Sequence, residues 1–178
     1  FTVREKERDF DYYEALTVRD SSLSACTQAV VAAEVGHVEL AYDYICEAAL
    51  IDLDDLQHNT RDGLHIASLA GTWMGAVAGF GGMRDHDRRL SFAPRLPEAI
   101  TRLTFRLCYR ERRLLVEITP SRATYTLVRG EELEIAHHGR ALQLSKGRPV
   151  SRRIAPLAPR ESPQQPPGRA PLRRGIRR

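Results

Sequence analysis

Apolar residues recur at helical spacing through the first half of the chain. The run from Leu23 to Val35 keeps this spacing and is closed by Gly36, a residue that commonly ends helices. The same pattern continues from about His37 to Leu50, and so short a link implies that the two helices lie antiparallel. The charged opening, Phe1 to Tyr13, also predicts a helix.

A third long helix is predicted after a polar connection rich in aspartate. It would start near Gly63 and run towards Met83, where several glycines stop it. Many of its residues are small, which suits a helix that packs closely against neighbours on several sides. The residues that could cap its first turn are Asn59, Thr60 and Asp62.

After Met83 the period changes from helical to alternating. Residues 84–100 are charged, contain prolines and predict a linker, and residues 101–146 predict a small domain of about five antiparallel strands. The fold class is therefore α+β. The alternating apolar positions are Leu103, Phe105, Leu107, Leu114, Val116, Ile118, Tyr125, Leu127, Leu133, Ile135, Leu142 and Leu144.

The net charge of +4 belongs to the end of the chain. Residues 147–178 hold nine arginines against Glu161 alone, which leaves a net −4 for the rest. With seven prolines and few apolar residues, this tail predicts disorder. It lacks the interleaved aromatic residues that stack on bases, so we expect a solubilising extension and no nucleic-acid partner.

Composition indicates a globular protein of a reducing compartment, with no membrane span. Cys26, Cys46 and Cys108 are widely spaced and odd in number, which predicts neither a disulfide framework nor a zinc site. Adjacent His137 and His138 point to opposite faces of a strand, so we interpret them as a solvated turn and not as a metal pair. We expect no bound metal.

Two polar stretches precede buried helices and are candidates for an anion site. They are Arg19 to Ser22 and Asp62 to His65. A helix N-terminus offers unpaired N–H groups and a positive dipole end, and hydroxyl or imidazole donors beside it suit phosphate. The alternative is that the serines only cap a helix and that His65 is a satisfied, partly buried histidine.

Two long motifs resemble glycoside hydrolase family 65, which includes maltose, trehalose and kojibiose phosphorylases. They are YYEALTVRDSSLSACTQAVVAAEVG and, further on, HNTRDGLHIASLAGTWMGAVAGFGGMR. The resemblance implies the last helices of an (α/α)6 barrel, the end of a catalytic domain spanning residues 1–83, followed by a small C-terminal β domain. It implies inverting phosphorolysis of an α-glucoside to β-glucose 1-phosphate. The chain begins at Phe1 and not at Met, so we expect a piece of a longer protein.

The same resemblance implies the site residues. Phosphate would be held by Ser21, Ser22, Gly63 and His65, with Ser68 a weaker candidate. Phosphate is the co-substrate, and no other cofactor is implied. The general-acid Glu belongs to a motif that this chain does not contain, so no catalytic residue is assigned and the chain alone is expected to be inactive.

Other expectations accompany this reading. Many family members have His at the position of Arg19, whose charge could strengthen anion binding or pair with Asp20. The implied partners are a disaccharide, phosphate and the remainder of the barrel. The resemblance further implies a cytoplasmic enzyme, and it is compatible with a homodimer. The alternatives are a trehalose-type hydrolase of the same family and a non-catalytic interaction module.

Overall fold

A computed structural model describes residues 1–158 and 160–173 of the chain. It divides into two compact units, each described separately below. The helical unit is Phe1–Gly79 with the described part of Ala158–Arg178, and the β unit is Phe80–Leu157. Four α-helices and eight strands among the described residues confirm the α+β class. No helix in the described ranges has the length and apolarity that a membrane crossing requires.

The helical unit is built on small residues that let its helices approach closely. Its helices are α1 (Val3–Glu14), α2 (Ser24–Val35), α3 (Val38–Leu50) and α4 (Ile66–Met74), followed by a π-helical segment, Gly75–Phe80. Gly36 ends α2 at a left-handed φ of 97°, as predicted. Between α2 and α3 lies a core of Ala25, Cys26, Ala29, Tyr44 and Ala48.

The third predicted helix differs from expectation at its start. It begins at Ile66, and no side chain caps its first turn. Thr60 belongs instead to a separate 3-10 turn, Thr60–Asp62, whose first residue donates its backbone N–H and hydroxyl to the Asp55 carboxylate at 3.1 and 2.7 Å. Gly63 then adopts φ 137° and ψ 177°, which no helix can contain.

The β unit holds two four-stranded sheets, one ordered β1-β2-β6-β7 and the other β3-β4-β5-β8. The prediction of about five antiparallel strands in residues 101–146 is confirmed by β3 to β7, which pair antiparallel as β3-β4-β5 and β6-β7. The strands β1, β2 and β8 lie outside that range and were not expected, and β2 pairs with β6 in parallel. The expected linker 84–100 contains β1 and β2. The strands are β1 Arg84–His86, β2 Arg89–Phe92, β3 Leu103–Tyr109, β4 Arg112–Thr119, β5 Arg122–Arg129, β6 Glu132–His137, β7 Arg140–Ser145 and β8 Val150–Arg153.

The tail expected to be disordered from Gly147 contributes to both units. Val150–Arg153 forms β8 and pairs antiparallel with β5, because that strand still had an unpaired edge. We call residues 160–173 the C-terminal segment; it has no helix or strand but bonds to the helical unit through Arg160, Gln165 and Arg169. For Pro159 and residues 174–178 the expected disorder lies outside the described residues.

His137 is not part of a solvated turn. It is the last residue of β6 and only 5% exposed, and the turn begins at His138. The Arg153 carbonyl, which can only accept, lies 3.0 Å from Nε2, so Nε2 carries the hydrogen. Nδ1 then accepts from the Tyr125 hydroxyl at 2.8 Å. Burial lowers the pKa of His137.

Candidate functional site

The first candidate stretch, residues 19–23, forms a loop between α1 and α2. Arg19 opens it with a φ of 60°, a left-handed conformation that residues other than glycine seldom adopt. The Ser21 hydroxyl accepts the backbone N–H of Leu23 at 3.2 Å, and the Ser21 carbonyl accepts that of Ser24 at 3.0 Å. Ser21 therefore shapes the start of α2, while its hydroxyl hydrogen is left to donate to a ligand.

A cavity of about 210 Å³ lies beside this loop within the helical unit. Its volume is more than ten times the roughly 15 Å³ that one water needs, so a phosphate ion fits. The loop, the end of α3, the residues after α3 and the C-terminal segment all contribute to its wall. The lining residues are Ser21, Ser22, Ala25, Glu47, Ala48, Ile51, Leu56, Gln57, Ala170 and Leu172.

Arg19 does not pair with Asp20, one of the two roles considered from the sequence. Its side chain is 7% exposed and forms an ion pair with Glu47, and its guanidinium lies over the Tyr44 ring at 4.7 Å from the centroid. Nη1 donates to the Arg169 carbonyl. Within the described ranges Nε has no hydrogen-bond partner, so this buried cation keeps one unused donor near the loop.

His65 is fixed by an aspartate that follows α3. The Asp52 carboxylate accepts the His65 backbone N–H at 2.9 Å and contacts Nδ1 at 2.6 Å. Because the ionised carboxylate can only accept, Nδ1 carries a hydrogen and Nε2 is the ring nitrogen left for a ligand.

The structure brings the two candidate stretches to the same end of α3 but does not place all five residues in one cavity wall. The Ser68 hydroxyl is buried and donates to the Ala48 carbonyl at 3.4 Å, and Ala48 lines the cavity with Ser21 and Ser22. Gly63, His65 and Ser68 are not among the described lining residues. Direct contact of Ser68 with a ligand is disfavoured by this burial.

Comparison with known proteins identifies the family. The sequence profile of the glycosyl hydrolase family 65 central catalytic domain matches residues 1–74, and that of the family's C-terminal domain matches residues 83–144. The chain belongs to glycosyl hydrolase family 65. The resemblance in its sequence is thereby confirmed.

Several relatives in family 65 are named for an activity. The chain is 42% identical to an alpha,alpha-trehalose phosphorylase of Thermoanaerobacter brockii over 83% of its length, and 42% identical to a maltose phosphorylase of Bacillus subtilis over 76%. An uncharacterized glycosyl hydrolase of Mycobacterium leprae is 56% identical over 98%. The chain spans about a fifth of these relatives, or 22%, 19% and 18% of their lengths.

A solved structure from the human microbiome has the same fold and is provisionally described as a kojibiose phosphorylase. It superimposes on 90% of this chain with a TM-score of 0.83 and 26% sequence identity. The chain covers 23% of that protein. The similarity in structure therefore includes most of the residues that match the two family 65 domains.

A buried polar network around Glu14 lies beside the loop of residues 19–23, and sequence reasoning missed it. Glu14 is 3% exposed and accepts hydrogen bonds from the Tyr44 hydroxyl, from Gln28 at 2.8 Å and from Gln165 at 2.8 Å. Burial and the bond to Glu14 raise the pKa of Tyr44. Glu14 is the last residue of a charged helix, and nothing in the sequence pattern predicts that its side chain is buried.

The surroundings of the loop combine hydroxyl groups with paired charges. Nowhere in the described part of the chain do three or more His, Cys, Asp or Glu side chains gather as metal ligands. Near the loop the two arginines, Arg19 and Arg169, face the two carboxylates of Glu47 and Asp20. The charges are thus balanced within the protein, and the hydroxyls of Ser21 and Ser22 remain for a ligand.

Proposed function

We propose that this chain supplies the phosphate-binding part of an inverting disaccharide phosphorylase, which cleaves a trehalose-, maltose- or kojibiose-type α-glucoside to β-glucose 1-phosphate. Trehalose and maltose phosphorylases are 42% identical to it over most of its length. We infer that the remainder of an (α/α)6 barrel completes the active site.

One observation carries the proposal most directly. Ser21 and Ser22 stand at the wall of a cavity large enough for phosphate, next to a buried arginine with an unused N–H among the described residues. Hydroxyls and N–H groups before a helix are the donors that phosphate prefers. His65, fixed by Asp52, would present its ring nitrogen Nε2 to phosphate, and Gly63 would add backbone without a side chain to obstruct it.

In this proposal phosphate takes the place of the water-activating base. Inverting hydrolases use one carboxylic acid on the leaving oxygen and one carboxylate to activate water on the opposite face of the sugar. Bound phosphate would instead attack the anomeric carbon itself, so its site needs donors and no free carboxylate. We assign no general acid in this chain, and the engagement of Glu14 with three partners supports leaving it out.

The test uses the full-length protein that contains these residues. Trehalose, maltose and kojibiose are each incubated with and without inorganic phosphate, and the anomeric form of any glucose 1-phosphate is determined. We expect β-glucose 1-phosphate only when phosphate is present. Free glucose formed equally without phosphate would make the protein a hydrolase, and absence of turnover on all three sugars would favour an interaction module.

The site is tested by the double change Ser21→Ala, Ser22→Ala and by His65→Ala. Each lost hydrogen bond to a charged ligand costs about 1.5–3 kcal/mol, so the KM for phosphate should rise more than 10-fold. Ser24→Ala is the matched control, because Ser24 follows the loop directly as the first residue of α2 but does not line the cavity. Equal KM values for the control and the double variant would contradict the assignment.

A further inference from the structure

The C-terminal segment, residues 160–173, contacts residues 1–79 of the helical unit at several points along its length. Arg160 pairs with Glu7 of α1, Gln165 enters the Glu14 network, and Arg169 pairs with Asp20. Residues 1–79 carry fourteen acidic against five basic side chains, so a segment that brings arginines is complementary in charge. These contacts join residues about 150 positions apart.

Arg169 binds Arg19 and Asp20, the two loop residues that come directly before Ser21. Its Nη1 lies 2.5 Å from the Asp20 carboxylate, and its carbonyl accepts from the Arg19 guanidinium. Its own backbone N–H donates to the Pro166 carbonyl at 3.1 Å, which fixes a turn at this point. Arg169 is therefore attached to the loop through both its side chain and its backbone.

We infer that Arg169 is a positioning residue for the loop of residues 19–23, an inference that rests on the proposed function. Asp20 is adjacent to Ser21, and an unpaired carboxylate there would repel phosphate. The Arg169 guanidinium neutralises that charge and holds the loop. Arg169 acts through Asp20 and is not itself placed as a phosphate ligand, because its Nη1 is engaged by that carboxylate.

The segment forms part of the cavity wall and does not fill the cavity. Ala170 and Leu172, which follow Arg169, line the cavity, yet about 210 Å³ stays open beside the serines. An autoinhibitory segment would occupy that space. The geometry thus fits a segment that completes the site in the active protein.

The variants are Arg169→Ala, Arg169→Lys and the control Arg160→Ala, all in the full-length protein. Arg160 belongs to the same segment and also forms an ion pair, but its partner is Glu7 on α1. With saturating disaccharide, Arg169→Ala should raise the KM for phosphate about 5-fold, the upper range for a partly exposed ion pair, with little change in kcat. Arg169→Lys should restore most of the loss, and Arg160→Ala should stay near wild type.

A second change separates positioning from general destabilisation. If Arg169 acts by neutralising Asp20, the double variant Arg169→Ala, Asp20→Asn should have a lower KM for phosphate than Arg169→Ala alone. If Arg169→Ala raised the KM only by destabilising the fold, the additional change Asp20→Asn would not lower the KM again. Equal KM values for Arg169→Ala and Arg160→Ala, or higher activity on loss of Arg169, would overturn the inference.

Hydrogen–deuterium exchange of residues 20–24 provides a readout that needs no reaction. Arg169→Ala should raise the exchange of this loop, whereas Arg160→Ala should not. A wild-type protein that hydrolyses its sugar without phosphate would refute the proposed function, while raised exchange would still support positioning by Arg169. Unchanged exchange would refute the positioning role whichever reaction the protein catalyses.

Discussion

Replacing Gly71 with alanine tests how closely α4 packs against α2. A Cβ added at Gly71 would lie 2.6 Å from the Cβ of Cys26 and closer still to its Sγ. The sulfur can rotate away, but the Cβ is fixed to the α2 backbone. The two helices would therefore have to separate.

The size of the effect follows from the required movement. Ordinary contacts of this kind begin at 3.4 Å, so the helices must part by almost 1 Å. Overpacking of this degree costs about 1–3 kcal/mol, and alanine returns roughly 0.5–1 kcal/mol over glycine in a helix. We expect Gly71→Ala to lower the free energy of unfolding by about 1–2 kcal/mol.

Two other glycines of the same stretch provide graded controls. A Cβ at Gly75 would meet the Ile45 side chain at 2.7 and 2.9 Å, and those atoms can move by rotation, so Gly75→Ala should cost less. A Cβ at Gly79 would have its nearest neighbours at 3.6 Å, an ordinary contact. Gly79→Ala should therefore be neutral or slightly stabilising.

The assay is urea unfolding of the 178-residue chain followed by tryptophan fluorescence. Trp73 is the only tryptophan and lies in α4, so the signal reports on the helix under test. Cys26→Gly should rescue Gly71→Ala because it removes both clashing atoms, whereas Cys26→Ala keeps the Cβ and should not. A Gly71→Ala variant as stable as Gly79→Ala would refute the packing argument.

Four further predictions concern other parts of the chain. Burial lowers the pKa of His137, so the unfolded chain takes up the proton first and the β unit should lose stability as the pH falls below about 6.5. Hydrogen exchange of β5 and β6 measures this loss, and His137→Gln should reduce it but not abolish it, because burial also lowers the pKa of His138. Glu14→Gln should cost about 2 kcal/mol, because a buried charged acceptor is lost, measured by urea unfolding. Gly82→Ala should cost at least about 2 kcal/mol, since its φ is 59° and its Cβ would lie 2.7 Å from the Ala93 nitrogen. Gly139→Ala, with φ 77° and open space, should cost roughly 1 kcal/mol, and thermal unfolding of the two glycine variants measures both losses.

The elements that could be predicted from sequence are those whose pattern is local and repeated. Strands β3 to β5 show the period of two because one face is buried, and Leu114, Val116 and Ile118 are fully buried at alternate positions. The end of α2 was predictable because Gly36 provides the left-handed residue that the turn requires. In both cases a few neighbouring residues determine the structure.

The elements that were missed depend on partners distant in the chain. Strands β1 and β2 have three and four residues, too few for a period to be recognised. Strand β8 lies in a stretch rich in proline and arginine and forms because β5 presents an edge to it. The start of α4 was misplaced because Asp55 and Asp52 bind the residues that had been expected to cap or open the helix.

The tail shows most clearly what composition can and cannot determine. Its positive charge was interpreted as a solubilising feature because its surroundings were unknown. In the helical unit acidic residues outnumber basic ones almost three to one, and the described arginines Arg160 and Arg169 pair with two of them, Glu7 and Asp20. Charge segregated between the two ends of a chain is therefore better interpreted as a prediction of contact between them. The motifs that indicate the family could locate Ser21 and Ser22, but only this long-range complementarity could have indicated that the cavity beside them has a wall from the other end of the chain.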